Sequence, residues 1–141
     1  MSGEALKLHY EVNGDNFVSA GEASEGVKTK LKQLGIAADI IRRVTIAMYE
    51  AEINMVIHAR GGVVDAVVGS DEIEICLSDT GPGIPDVDLA MKEGYSTATE
   101  SIRNLGFGAG MGFPNMKKYA DSLCIDTELG VGTKVTLGFK Y

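Results

Sequence analysis

Glu50, Asn54 and His58 recur at four-residue spacing in the stretch Tyr49-Glu50-Ala51-Glu52-Ile53-Asn54-Met55-Val56-Ile57-His58. At about 100° per residue, each step of four advances only about 40° around a helix, so the three side chains form one polar stripe. A carboxylate there can orient or deprotonate a hydroxyl or a water. A carboxamide oxygen one turn on can serve a magnesium ion whose other ligands are water and phosphate. The same residues on a solvated helix face would do no chemistry. His58 also sits in the last helical turn, where the helix dipole favours an imidazole without any further role. Glu52, two residues from Glu50, points away from the stripe and is expected at the surface.

The helix that must carry this stripe is read from Ala37 or Ala38 to Ala59, because Ile40, Val44, Ala47, Met48, Ala51 and Met55 recur at core spacing on a different face. Gly61-Gly62 are expected to end it. Before it, Leu6, Leu8, Tyr10 and Val12 alternate with Lys7, His9 and Glu11 as a half-buried strand, with His9 on the solvated side. Asn13 to Asn16 is a turn cluster, and a helix over Glu22 to Leu34 ends at Gly35. After it, Val63 to Gly69 and Glu72 to Asp79 read as two strands joined around Ser70-Asp71.

Asp79 has the parity of Ile73, Ile75 and Leu77, so it extends the inward face of its strand. A carboxylate there needs a donor. Thr80-Gly81-Pro82-Gly83-Ile84-Pro85 is a stiff turn, followed by a short helix around Val87 to Lys92. From Glu93 to Gly112 no periodicity survives, and a segment of roughly twenty such residues in a small domain is commonly a lid or binding loop. A helix over Phe113 to Asp121 and a hairpin across Leu129 to Gly132 complete the chain, with Thr133 sharing the inward parity of Val135. Strand, two helices, two strands, loop, helix and two strands make an α+β two-layer sandwich: a mixed, mostly antiparallel sheet with helices on one face, expected as a single domain over residues 1–141.

Composition narrows the partners. The chain has 141 residues, 45% hydrophobic and 23% charged, with a net charge of -7. That balance argues against nucleic acid as the main partner, which requires clustered Lys and Arg. The start lacks the features of a secretory signal and no apolar run reaches membrane-spanning length, so a cytoplasmic protein with no membrane association is expected. Cys76 and Cys124 are too few for a disulfide framework and read as small strand residues. The eighteen glycines are the compositional anomaly, clustered at 61–62, 81–83, 106–112 and 130–132.

The run Gly106-Phe107-Gly108-Ala109-Gly110-Met111-Gly112 opens a helix. Glycines let backbone amides approach an anion, and a helix N-terminus adds its positive dipole end, so the run is a phosphate signal. No Gly-Lys-Ser or Gly-Lys-Thr follows, which excludes a Walker motif, and no βαβ unit frames it, which argues against a Rossmann site. Phosphate charge would then be met by magnesium on Asn54, with Glu50 as base.

Taken in order, these motifs resemble those of the Bergerat-fold ATP-binding superfamily shared by gyrase, the histidine kinases and the mismatch-repair ATPases. They are Glu50-x-x-x-Asn54, Asp79-x-Gly81-x-Gly83, Gly108-x-Gly110-x-Gly112 and Gly132-Thr133. The resemblance spans about Leu6 to Phe139 and implies the histidine-kinase-like ATPase fold, with ATP and Mg as cofactors. It makes Asn54 the metal ligand, Asp79 the acceptor of the adenine amino group and Thr133 a support for that contact. Glu93 to Met111 become the ATP lid. The implied nucleotide-binding set is Asn54, Asp79, Gly81, Gly83, Ile84, Ser96, Thr97, Gly108, Ala109, Gly110, Met111, Gly112 and Thr133, with Glu50 catalytic; Ser96 and Thr97 would touch phosphate through their hydroxyls.

Within the superfamily, Glu50-Ala51-x-x-Asn54-x-x-x-His58 is similar to the bacterial anti-sigma factors and switch kinases. Met91 to Thr97 resembles the switch-kinase lid, and Gly110-Met111-Gly112-Phe113 the anti-sigma factors. The implied function is an ATP- and Mg-dependent serine/threonine protein kinase that phosphorylates an antagonist-type partner in transcription regulation. The alternative is a nucleotide-gated module that sequesters a sigma factor or another protein without phosphotransfer. The absence of dimerisation helices and of a transducer domain argues against a complete histidine kinase and a gyrase-like ATPase. The open face of the sheet offers a surface for a homodimer.

Overall fold

A computed structural model describes residues 5–13, 21–59, 61–81, 83 and 112–141, with backbone only at 57–59. The short helix expected at 87–92 and the lid expected at 93–111 lie outside the described residues. The elements are β1 (Leu6–Asn13), α1 (Glu22–Gln33), α2 (Ala38–Ala59), β2 (Gly61–Val68), β3 (Glu72–Ser78), α3 (Gly112–Tyr119), β4 (Ser122–Glu128) and β5 (Gly132–Lys140). The five strands form one sheet in the order β1-β2-β3-β5-β4. Every neighbouring pair is antiparallel, so the sheet among the described residues is not mixed as expected.

Alternation along each strand sends one set of side chains to the helices. Val64, Ala66, Ile73, Ile75, Leu77, Val135, Leu137 and Phe139 are buried against Val27 and Leu31 of α1, Met116 of α3, and Val44, Ala47, Met48 and Met55 of α2. The other parity, including Lys7, His9, Asp65, Glu74 and Cys124, stays exposed. His9 is solvated as expected, and its Nδ1 lies 2.6 Å from Asp65 Oδ1 directly across the strand pair. Both cysteines are free.

The helix ends follow local chemistry. Gly35 adopts φ +75°. Its N–H donates to Lys32 O and that of Ile36 to Leu31 O, the paired bonds that close a helix with a left-handed residue. α2 ends at Ala59, just before Gly61-Gly62, as expected. The two glycines begin β2, which starts earlier than the expected Val63, and a Cβ on Gly62 would overlap Ser78 O and Met55 Cε. The second glycine is there because helix and sheet approach too closely for a side chain.

Arg43 ties α2 to the far end of α3. Its Nε donates to Tyr119 O at 3.2 Å and its guanidinium pairs with Asp121 at 2.9 Å. The Lys140 backbone N–H, the Arg43 hydrogen bond and its charge together hold the Asp121 carboxyl below its ordinary value of 3.8. A lowered folded-state value stabilises the fold above the unfolded value, and this contribution is lost as pH falls through the folded value. Because the group is well exposed, Asp121→Ala is expected to cost only about 0.5–1 kcal/mol at neutral pH. Urea unfolding of both proteins between pH 7 and pH 2 should show the gap closing only at the acid end.

Candidate functional site

Glu50 and Asn54 of the α2 polar stripe are half-buried and face α3. The two helices run antiparallel, with Asn54 meeting Gly112, Glu50 meeting Asn115 and Arg43 meeting Tyr119. A Cβ on Gly112 would stand 3.0 Å from Asn54 Nδ2 and 3.3 Å from Oδ1, so the glycine lets the helix start settle on the carboxamide. The first amides of a helix have no intrahelical acceptor and carry its positive dipole end. Beside Asn54 they form the kind of helix start that can hold an anion, next to a carboxamide oxygen of the type that can serve a metal ion. One turn away, Glu50 is half-buried and accepts a long hydrogen bond, 3.4 Å, from Asn115 Nδ2. Asn115 drew no notice in the sequence because nothing local links it to Glu50, 65 residues earlier.

Asp79 forms the second cluster. Its N–H donates to Thr133 O at 2.9 Å, while its Oδ1 accepts from Thr133 N at 3.1 Å and from Gly81 N at 2.9 Å. The donor that its inward parity demanded is therefore supplied in part by the protein backbone. Both bonds fall on Oδ1, and Oδ2 makes none among the described residues. Thr133 is buried and its hydroxyl lies 2.9 Å from that of Thr127. Gly132 carries φ +150°, and a Cβ on it would overlap the Asp79 carbonyl, so β5 can reach Asp79 only through glycine here. Gly83, at φ +83°, rests on the Glu128 carbonyl and holds the turn after Asp79 against the β4–β5 hairpin.

Glu52 corrects the sequence reading outright. It is 1% exposed, not a surface residue. Its Oε2 accepts from Gly21 N (2.9 Å) and Ala23 N (3.2 Å), and its Oε1 from Ser24 N (2.9 Å) and Ser24 Oγ (2.7 Å). The carboxylate caps α1 from another helix. The missing signal was legible in part: α1 starts after Gly21, which has no side chain to cap the first amides. Tyr49 packs on that glycine. Burial, then the charges of Glu50 and Glu52, push its phenol pKa up.

Asn54, Glu50 and Gly112 are thus brought together, as are Asp79, Gly81, Gly83 and Thr133. Met55, next to Asn54, and Ser78 and Asp79 all crowd the Cβ position of Gly62, so the two clusters adjoin at one end of the sheet. Ile84, Ser96, Thr97, Gly108, Ala109, Gly110 and Met111 lie outside the described residues, as does the side chain of His58. Among the described residues no three His, Cys, Asp or Glu side chains could hold a metal together. Beyond the described residues, an ion on Asn54 could draw its other ligands from a bound molecule and water.

Residues 38–141 match the family model of the histidine kinase-, DNA gyrase B- and HSP90-like ATPases. The chain belongs to this ATPase family. The matched span contains both the Asn54 and the Asp79 clusters. The chain is 33% identical to the anti-sigma F factor of Clostridium beijerinckii, over 100% of this chain and 97% of that protein. It is 31% identical to the serine/threonine-protein kinase RsbT of Bacillus subtilis, over 74% of this chain and 75% of that one. Among solved structures, the RsbU and RsbW domains of a Mycobacterium tuberculosis protein superpose with a TM-score of 0.65 at 17% identity, covering 96% of this chain and 32% of that one. That likeness carries the histidine-kinase-like ATPase fold. No helix among the described residues is long and apolar enough to cross a membrane.

Proposed function

We propose that this ATPase-family protein is a serine/threonine protein kinase of the anti-sigma-factor type, transferring the γ-phosphoryl group of ATP to a hydroxyl on an antagonist-type partner protein in the cytoplasm. The observation that carries this reading is the seating of Gly112, at the start of α3, on Asn54, with Glu50 one turn away and tethered by Asn115. The α3 N-terminus and the glycines before it would receive the phosphates, Gly108, Ala109, Gly110 and Met111 among them. Ser96 and Thr97 would close over them from the lid. Asn54 would supply a protein oxygen to magnesium, which when bound neutralises phosphate charge.

Glu50 accepts the proton of the partner's hydroxyl as its oxygen bonds to the γ-phosphorus and the bond to the ADP oxygen breaks. At the other cluster, Asp79 Oδ2 is the acceptor left for the adenine amino group. Thr133 and Gly81 fix the carboxylate through Oδ1, and Gly83 and Ile84 would contribute to the nucleotide site from the turn that follows. Fixing one oxygen costs the site less ordering when the base arrives.

A second reading is favoured by the name of the Clostridium relative, an anti-sigma factor: ATP binding gates capture of a sigma factor, with or without phosphotransfer. Both readings need the same nucleotide site, so the test addresses that first. Asn54→Ala is expected to weaken magnesium-dependent ATP affinity by about tenfold or more, by titration calorimetry, with little change in the metal-free affinity. Equal Mg-ATP affinity in the two proteins would remove Asn54 from the metal and undo the site as drawn.

A further inference from the structure

At the end of α3 opposite the nucleotide site, two cations from two helices share one aromatic ring. The Arg42 guanidinium carbon lies 5.6 Å from the centroid of the Tyr119 ring and the Lys118 ammonium 5.3 Å from it. Lys117 is the next residue along and, like Arg42 and Lys118, is exposed. The helix dipole accounts for lysines in the last turn of α3, but not for Arg42, which comes from the N-terminal part of α2. The ring attracts each cation, yet the cations repel one another.

Two carboxylates are close in the fold or the sequence. Asp121 is engaged by Arg43 and the Lys140 amide, and Asp39 lies one turn before Arg42 on α2. Among the described residues the ion pairs are His9–Asp65 and Arg43–Asp121, so none involves Arg42, Lys117 or Lys118. Elsewhere two lysines of the sheet stand opposite acids, Lys134 facing Asp126 and Lys140 facing Glu72 across their strand pairs, while Lys7 faces Val67. In a chain of net charge -7, the Tyr119 cluster is therefore a local inversion of sign.

We propose that the Arg42–Lys117–Lys118–Tyr119 cluster is a docking surface for an acidic segment of a protein partner, separate from the nucleotide site. Aspartate or glutamate side chains would lie between the cations, relieving their repulsion, with the guanidinium able to take a carboxylate through two parallel N–H donors. Nucleic acid fits less well. The cluster has one ring, with cations already over it, so it gives no free stacking platform, and the overall charge repels a polyphosphate. A membrane surface fits less well too, because Leu6, Leu34, Tyr49, Leu129, Val131 and Tyr141, the large exposed apolar residues among those described, do not belong to the cluster.

The test uses the full chain and a short fluorescein-labelled peptide of glutamate and aspartate, followed by anisotropy at low and at physiological salt. Arg42→Glu with Lys118→Glu is expected to weaken binding by about tenfold or more, and Arg42→Gln with Lys118→Gln by a smaller factor. Lys7→Glu with Lys140→Glu, an equal charge change on the sheet, should leave the affinity near that of the parent. Circular dichroism confirms folding, and the glutamine pair serves if the glutamate pair does not fold. Absence of peptide binding by the parent, or equal weakening by the cluster and sheet pairs, overturns the proposal. So does tighter binding to a single-stranded oligonucleotide or to phosphatidylserine vesicles than to the peptide.

Discussion

Replacing Glu52 by alanine is expected to cost about 3 kcal/mol of unfolding free energy, because four donors at the start of α1 lose their acceptors while still buried or half-buried. For a domain of this size that corresponds to a fall of roughly 10 °C in melting temperature. Glutamine does not rescue the site fully. Each carboxylate oxygen of Glu52 receives two donors, and an amide nitrogen in either place would confront two hydrogens with its own. Asp65→Ala, on the exposed sheet face, provides the comparison and should stay within about 0.5 kcal/mol. Thermal and urea unfolding read both variants. A Glu52→Ala loss no greater than that of Asp65→Ala would mean that the capping geometry does not persist in solution.

The second large effect belongs to the chemical step. Glu50→Gln keeps the size of the side chain and an oxygen for the Asn115 amide, but it removes the carboxylate proposed as the base. Transfer from labelled ATP to an antagonist-type protein is expected to fall by about 10²–10⁴-fold, the usual range for loss of a general base, while ATP affinity changes little. A drop in affinity of the same size would instead make Glu50 part of the ground-state binding site. Parental transfer rates in the variant would leave the hydroxyl without an assigned base. Comparison with Asn54→Ala separates the two residues, since that variant is expected to fail at nucleotide binding.

Much of this was legible in the residues themselves. Helical spacing put Glu50 and Asn54 on one stripe, and strand parity turned Asp79 and Thr133 inward. The glycine clusters marked the turns that meet these residues. Such features are local: a period of 3.6 or 2 sorts side chains onto faces whatever the rest of the chain does. The resemblance of the ordered motifs to an ATPase superfamily agreed with the family match found afterwards over residues 38–141.

What the local pattern left open is which face meets which neighbour. A helix read from sequence is divided into one apolar and one polar side, yet α2 packs against α1, α3 and the sheet. It therefore has more than one buried side. That is why Glu52, on the flank of the expected core stripe beside Met48, is buried as a cap, and why the polar stripe at Glu50 and Asn54 lies under α3. The partners of Glu52 and Glu50 are 28–31 and 65 residues away, and Thr133, which shares Asp79 Oδ1 with nearby Gly81, is 54 residues from it. Hydrogen bonds over such separations depend on how whole elements pack, and no local period encodes them. The sequence by itself determined the elements and the residue types able to bind a nucleotide. Only tertiary packing decided that Gly112 sits on Asn54, that Thr133 holds Asp79 through Oδ1, and that Arg42 and Lys118 meet over Tyr119.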